Sequence, residues 1–145
     1  MTTLPPLNQR FPVATEDGFP APEFIRFVTQ LYLRVGGAQG GVYAQLTDGP
    51  TVAWNLDQAP SAVVVLGGNR TLSNPIGQVA GSFIPYRLTV VQDGTGSRLL
   101  TWGGSFLFPG GTPPTLSTGA NAIDEFWFSS DGTNMKLVAS ALNLQ

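Results

Sequence analysis

The sequence predicts a mainly β chain, an antiparallel β-sandwich or jelly roll preceded by an extended strap and one short helix. Two alternating runs meet at Asp-Gly turns, one at Asp93-Gly94 and one at Asp131-Gly132, and alternation across such a turn is the strongest short-range hairpin signal. Short stretches rich in Val, Thr, Phe and Trp recur from Thr51 to the end, at the spacing of a sandwich or jelly roll. Eighteen glycines and twelve prolines in 145 residues suit many tight turns. Nine Phe and three Trp supply the apolar bulk that a disordered chain lacks.

By composition the chain divides into residues 1–47, comprising strap, helix and glycine-rich hinge, and a β-sandwich domain over 48–145. Residues 1–21 hold Pro5, Pro6, Pro12 and Pro20. Each removes an N–H donor and disfavours helix in the residue before it, so an extended strap is expected, with one turn at Glu16-Asp17-Gly18. Its Leu4, Leu7, Phe11, Val13 and Phe19 are spread as in a peptide lying on another surface. A disordered tail is the plainer alternative.

Residues 22–35 read as the one helix. Pro22 suits the first helical position, Glu23 sits at the positive dipole end, and Gly36-Gly37 closes the element. Phe24, Phe27, Val28, Leu31 and Val35 follow helical spacing, with Ile25 and Tyr32 widening the apolar face. That face can be buried on the chain's own β domain or in a groove of another protein, and the sequence supports both equally. Residues 36–48 carry four glycines within six positions, which predicts a short flexible hinge. A phosphate-loop reading fails here, because the glycines follow a helix and no Gly-Lys-Ser/Thr completes the motif.

From Thr51 the expectation is strand upon strand. Val52, Trp54 and Leu56 share one face. Residues 62–67, AVVVLG, form an apolar β-branched run expected to be covered on both sides. Asn69 opens a turn that leads to Leu72. Leu88 and Val90 pair with Leu100 and Trp102 in a central hairpin closed by Asp93-Gly94-Thr95-Gly96. A proline-glycine loop follows over 109–114. The last unit is a second hairpin, with Phe126 and Phe128 before Asp131-Gly132 and Met135 and Leu137 after it.

The chemistry available is narrow. With a net charge of −2 and no Lys or Arg clusters, a nucleic-acid partner is not expected. The absence of Cys and His excludes thiolate, Ser-His-Asp and Cys-His catalysis and argues against zinc. Asp48, Asp93 and Asp131 each precede Gly, so turn chemistry accounts for them. Asp124 and Glu125 would leave a strand on opposite faces. No Asp-x-Asp-x-Asp-Gly run suggests calcium. The chain is therefore not expected to be an enzyme or to hold a cofactor. Trp54, Trp102 and Trp127 could line a sugar-binding platform, although strands at this spacing more often bury such rings. Arg70 and Arg98 are expected to bridge turns to carboxylates such as Asp93. Asn69-Arg70-Thr71 matches a glycosylation acceptor, but the N-terminus lacks a basic region followed by an apolar core, and no apolar run reaches about 20 residues. A soluble product made in the cytoplasm, without membrane insertion, is expected. The charged fraction of 11%, against roughly 25% in typical domains, leaves a surface with few ions to desolvate against partner chains.

One resemblance stands on several spaced segments. Trp54 and Asp57, LGGNRTLSNP over 66–75, Gly81, LTVVQDGTGSRLLTW over 88–102, and FPGGTPPTLSTGANAIDEFWFSSDG over 108–132 together resemble a β domain of tailed-phage virion proteins. It covers about two thirds of the chain. DGFPAPEFIRFVTQLYLRVGG over 17–37 is similar to short segments at the start of small phage structural proteins. The resemblance implies a virion structural protein made in the host cytoplasm. A short tail fibre or tail appendage contributing to host attachment is the leading reading, and a head fibre or capsid decoration protein the alternative. A sugar-cleaving tailspike fits less well, the chain being short and without a convincing acid pair. Implied partners are other virion proteins (tail adaptor, nozzle or capsid), further copies in a homotrimer, and a host-surface glycan. Phe24, Phe27, Val28 and Leu31 would then dock on the virion, with Trp54, Trp102 and Trp127 as candidate ligand-facing aromatics.

Overall fold

A computed structural model describes residues 44–81 and 85–145. The chain separates into two units, Met1–Val42 and Tyr43–Gln145, and everything described belongs to the second. The expected strap, the helix over 22–35 and the docking residues Phe24, Phe27, Val28 and Leu31 lie outside the described residues. The segment read as the end of the hinge carries a short strand, β1 (Ala44–Gln45).

Eight further strands follow: β2 (Thr51–Val52), β3 (Ser61–Leu66), β4 (Arg70–Leu72), β5 (Tyr86–Gln92), β6 (Leu100–Trp102), β7 (Phe106–Leu107), β8 (Ile123–Ser130) and β9 (Met135–Leu144). A single 3-10 turn at Pro109–Gly111 is the one helical element among the described residues. The described unit is thus mainly β, as the alternation requires. Its sheets are mixed, which corrects the antiparallel expectation. One is six-stranded in the order β1-β3-β5-β8-β9-β7, and the other is three-stranded, β2-β4-β6. Five of the ladders are parallel and two are antiparallel.

The order follows from a repeated path. The chain lays β1 in the large sheet and β2 in the small one, then β3 and β4, then β5 and β6. Each return to a sheet comes after an excursion to the other, so successive strands run the same way, as parallel pairing demands of its connections. Three coils are stacked, and their rungs are in register: Val52 beside Leu72 beside Trp102, and Ala62 beside Leu88. The chain leaves this pattern at β7, which goes to the far edge of the large sheet beside β9, and then at β8, which pairs antiparallel with β5 and turns back through β9.

The central hairpin is therefore not formed. β5 and β6 belong to different sheets, and the Asp93 turn is a corner between them. Asp93 Oδ1 accepts bonds from the N–H groups of Thr95 and Gly96 at 3.0 and 2.8 Å, an Asx-type turn. Gly96 has φ +75°, and a Cβ there would lie 2.5 Å from the Thr118 carbonyl oxygen, so only glycine fits the corner. The Asp131-Gly132 hairpin does form. Asp131 Oδ1 accepts from the Thr133 and Asn134 N–H groups, and β8 and β9 pair on either side.

Both sheets contribute to one core. Val52, Trp54, Leu56 and Leu72 meet Val64, Leu66, Leu88, Val90, Phe126, Phe128 and Met135 there, all nearly or wholly buried. The common face predicted for Val52, Trp54 and Leu56 is thus observed. β3 alternates buried and more exposed residues, with Val65 40% exposed, so the expectation of cover on both sides is corrected. The apolar run reflects β-branched preference on the outer face as much as burial.

Candidate functional site

Charged side chains brace the corners, and one pair ties one coil to the next. Arg70 leads β4 and donates through Nε and a terminal nitrogen to both oxygens of Asp48, each at 2.7 Å, a bidentate geometry. Asn69 Oδ1 accepts from the Leu99 N–H at 3.0 Å, linking the second corner to the third. Arg98 bonds back to Asp93 Oδ2 at 3.0 and 2.8 Å. Gln92, 2% exposed, closes the same corner by exchanging bonds with the backbone N–H and carbonyl of Arg98. The pairing foreseen for Arg98 with Asp93 is present, and Arg70 serves the earlier corner.

These contacts set the acid response. The Arg70 guanidinium lowers the Asp48 carboxyl below its ordinary value of 3.8, and Asp48 in turn raises Arg70. Arg98, with the Gly96 and Thr95 N–H groups, holds Asp93 down to about 2. The Asn134 N–H, then Lys136, holds Asp131 well below the carboxylate range. All three groups titrate lower folded than unfolded, so the unfolded chain takes up protons first as pH falls. Their contribution is complete above about pH 4–5 and is lost as pH drops through the folded values. The melting temperature is expected to be level from about pH 5 to 8 and to fall below about pH 4, with a smaller fall at high salt because the pairs face solvent. A melting temperature that rises on acidification would contradict this.

Strand β8 separates the adjacent acids, as alternation requires. Asp124 points inward, 2% exposed. It accepts bonds from the Ser117 N–H and hydroxyl, both at 2.7 Å, and from the Asn143 N–H at 2.9 Å. Glu125 points outward, where it pairs with Arg87 and accepts from the Thr89 hydroxyl at 3.3 Å. The two carboxyl groups serve different faces of one strand and do not form an acid pair. Among the described residues no group of three or more Asp or Glu side chains is placed to hold a metal ion. No described helix is long and apolar enough to cross a membrane.

The three tryptophans do not share a platform. Trp54 is 1% exposed, donates its indole N–H to the Ala59 carbonyl at 2.6 Å, and meets Phe128 edge-on at 6.4 Å. It cannot face a ligand, and that part of the expectation is corrected. Trp102 packs edge-on against Phe106, Phe108 and Phe126 at 5.1–5.3 Å, and beside Phe128 at 5.8 Å. Its ring belongs to the core cluster. Only Trp127 lies on the outer face of β8, half-buried, with the Arg87 guanidinium 5.6 Å from its ring centre. That spacing is cation–π distance.

The surface feature that the sequence did not single out is β9. Its first two residues pair with β7, and beyond them the outer edge of Leu137–Leu144 has no ladder among the described residues. Val138 is 58%, Leu142 41% and Leu144 38% exposed. Leu144 also ends a row across the outer face of the large sheet, in register with Ile123, Val91 and Val65. Comparison of the chain with protein-family models, curated proteins and solved structures finds no match.

Proposed function

We propose that the chain is a structural protein of a tailed-phage virion, a short tail fibre or tail appendage anchored through its N-terminal region and contributing to host attachment. The observation that favours this reading is how the charges are used. All four described cations are ion-paired, and five of the six described acids, Asp48, Asp93, Asp124, Glu125 and Asp131, are held in hydrogen bonds within their own turn or across to another segment. Charge spent on fixing turns and joining segments, with one pair (Asp48–Arg70) tying coil to coil, serves rigidity, and rigidity is what an appendage needs. The spaced segments that resemble phage β domains, from Trp54 to Gly132, supply the virion context. On this reading the partners are other virion proteins and a host-surface glycan.

The N-terminal apolar residues carry the test. Phe24, Phe27, Val28 and Leu31 fall on one helical face by spacing, and burying each such side chain is worth roughly 1.5–3 kcal/mol. The double change Phe27→Asp with Leu31→Asp is expected to weaken incorporation into particles by several orders of magnitude while the melting temperature of the β unit stays unchanged. Labelled particles should carry the protein on the tail. Capsid labelling would instead support the decoration reading, and normal incorporation of a variant with a much lower melting temperature would refute the docking role.

A further inference from the structure

We propose that Asp48, Asp93 and Asp131 are latent sites of aspartate isomerisation, each kept unreactive by the cation that faces it. All three precede glycine, whose missing side chain leaves its peptide nitrogen least hindered toward the preceding carboxyl group. In that reaction the glycine nitrogen bonds to the Asp Cγ, and the carboxyl OH leaves as water with the amide proton. A second water then opens the five-membered ring. Where it attacks the α-carbonyl carbon, the backbone continues through Cγ as isoaspartate. Nothing is oxidised or reduced. Two conditions govern the first step: the carboxyl group must be protonated to lose its OH, and it must be free to turn toward the nitrogen.

The corners oppose both conditions at every one of these peptides. Arg70 takes both oxygens of Asp48 at 2.7 Å. At Asp93, Oδ1 is held by the Thr95 and Gly96 N–H groups and Oδ2 by Arg98. At Asp131, Oδ1 is held by the Thr133 and Asn134 N–H groups and Oδ2 by Lys136 at 3.0 Å. Burial is not the protection, because the three side chains are 34%, 24% and 36% exposed. The placement of charge is selective. Asp57 and Asp124, which precede Gln58 and Glu125, have no ion pair among the described residues, and the fourth described cation, Arg87, pairs with Glu125. Holding Asp93 down to about 2 from 3.8 cuts its protonated fraction near neutral pH on the order of 50-fold. Solvent-facing pairs add little to folding stability, so covalent durability gives these cations a role that stability does not. It holds whatever the chain is attached to.

Peptide mapping of the full chain, stored folded at neutral pH and scored for isoaspartate by enzymatic methylation, tests this. Arg98→Ala is expected to raise isoaspartate at Asp93 roughly tenfold over the wild type. Arg98→Lys keeps the charge and should return most of the protection. Gly94→Ala added to Arg98→Ala should suppress the reaction again, because a methyl group there hinders the attacking nitrogen. Gly94 tolerates the change: it lies outside the left-handed region, and its Cβ would meet nothing within 4 Å. A merely structural role for Arg98 would lower the melting temperature without moving isoaspartate to this peptide. Unchanged isoaspartate in Arg98→Ala, Lys no better than Ala, or a rise that Gly94→Ala leaves in place would each overturn the proposal. Should Arg98→Ala fail to fold, Lys136→Ala decides at Asp131, since Lys136 is 52% exposed on the surface. A severalfold rise there supports the role, and no rise refutes it.

Discussion

Phe128→Ala is expected to destabilise the β unit by about 3–5 kcal/mol, the range for truncating a fully buried aromatic ring. Phe128 has no exposed surface and meets four other rings, Phe106 at 5.3 Å, Trp102 at 5.8 Å, Trp54 at 6.4 Å and Phe108 at 6.5 Å. Those rings come from the segment after β2, from β6, and from β7 with the residue after it, so the cavity would open where all of them converge. Neighbours held in this way cannot collapse into the space, which puts the cost toward the upper end of the range. For a unit of this size the melting temperature should fall by on the order of 20 °C. Thermal melting followed by near-UV circular dichroism, which senses the packed Trp rings, checks it. A fall of only a few degrees would mean that the five-ring cluster is not what holds the sheets together.

Asp124→Ala should cost about 2–4 kcal/mol, for a different reason. The carboxylate is a hub for three donors, two on Ser117 and one on Asn143. Removing it takes the acceptor from the half-buried Ser117 N–H and hydroxyl and from the N–H of exposed Asn143, and a donor left without a partner away from water costs more than the bond itself was worth. Asp124→Asn keeps an acceptor oxygen and the shape, so it should recover part of the loss. The change should also be local. Hydrogen exchange at Asn143 and Leu144 is expected to quicken well before the middle of β8 does, because that bond ties the end of β9 to the inner face. Equal stability of the Ala variant and the wild type would remove Asp124 from this role. By contrast, the corner ion pairs Asp48–Arg70 and Asp93–Arg98 face solvent and are each worth little individually.

How much of this was legible depended on the range of the signal. Alternation is local, so the shared burial of Val52, Trp54 and Leu56 and the pair Phe126 and Phe128 could be read from spacing alone. So could the β8–β9 hairpin, because its partners flank one short turn. Strand direction could not be read. Leu88 and Val90 alternate in the same way whether the partner is Leu100 across a hairpin or Val64 in a parallel coil, and nothing in the period of two distinguishes them. The corner at Asp93 illustrates the ambiguity. Asp-Gly favours a tight turn, but Gly96 and Ser97, both at positive φ, carry the chain onward to the other sheet. Trp54 and Trp102 were ambiguous because a buried ring and a ligand-facing ring have the same sequence. The β9 edge was hidden for a third reason, since its exposure depends on which strands end up beside it.

The stacking of coils also sets an order of events. The β8–β9 ladder closes over residues 131–134, whereas β3 reaches β5 across 67–85, β4 reaches β6 across 73–99, and β5 reaches β8 across 93–122. Loop-closure entropy rises with the span enclosed, and long-range pairing is the slow part of building such a topology. The cheapest ladder is thus the most C-terminal of those among the described residues. It is also the one that offers β5 an antiparallel partner onto which the parallel coils can then be laid in turn. The coil ladders cheapen toward the first coil, where β1 reaches β3 across 46–60 and β2 reaches β4 across 53–69, so closure is easy at both ends of the unit and dearest where β5 must find β8 across the longest span.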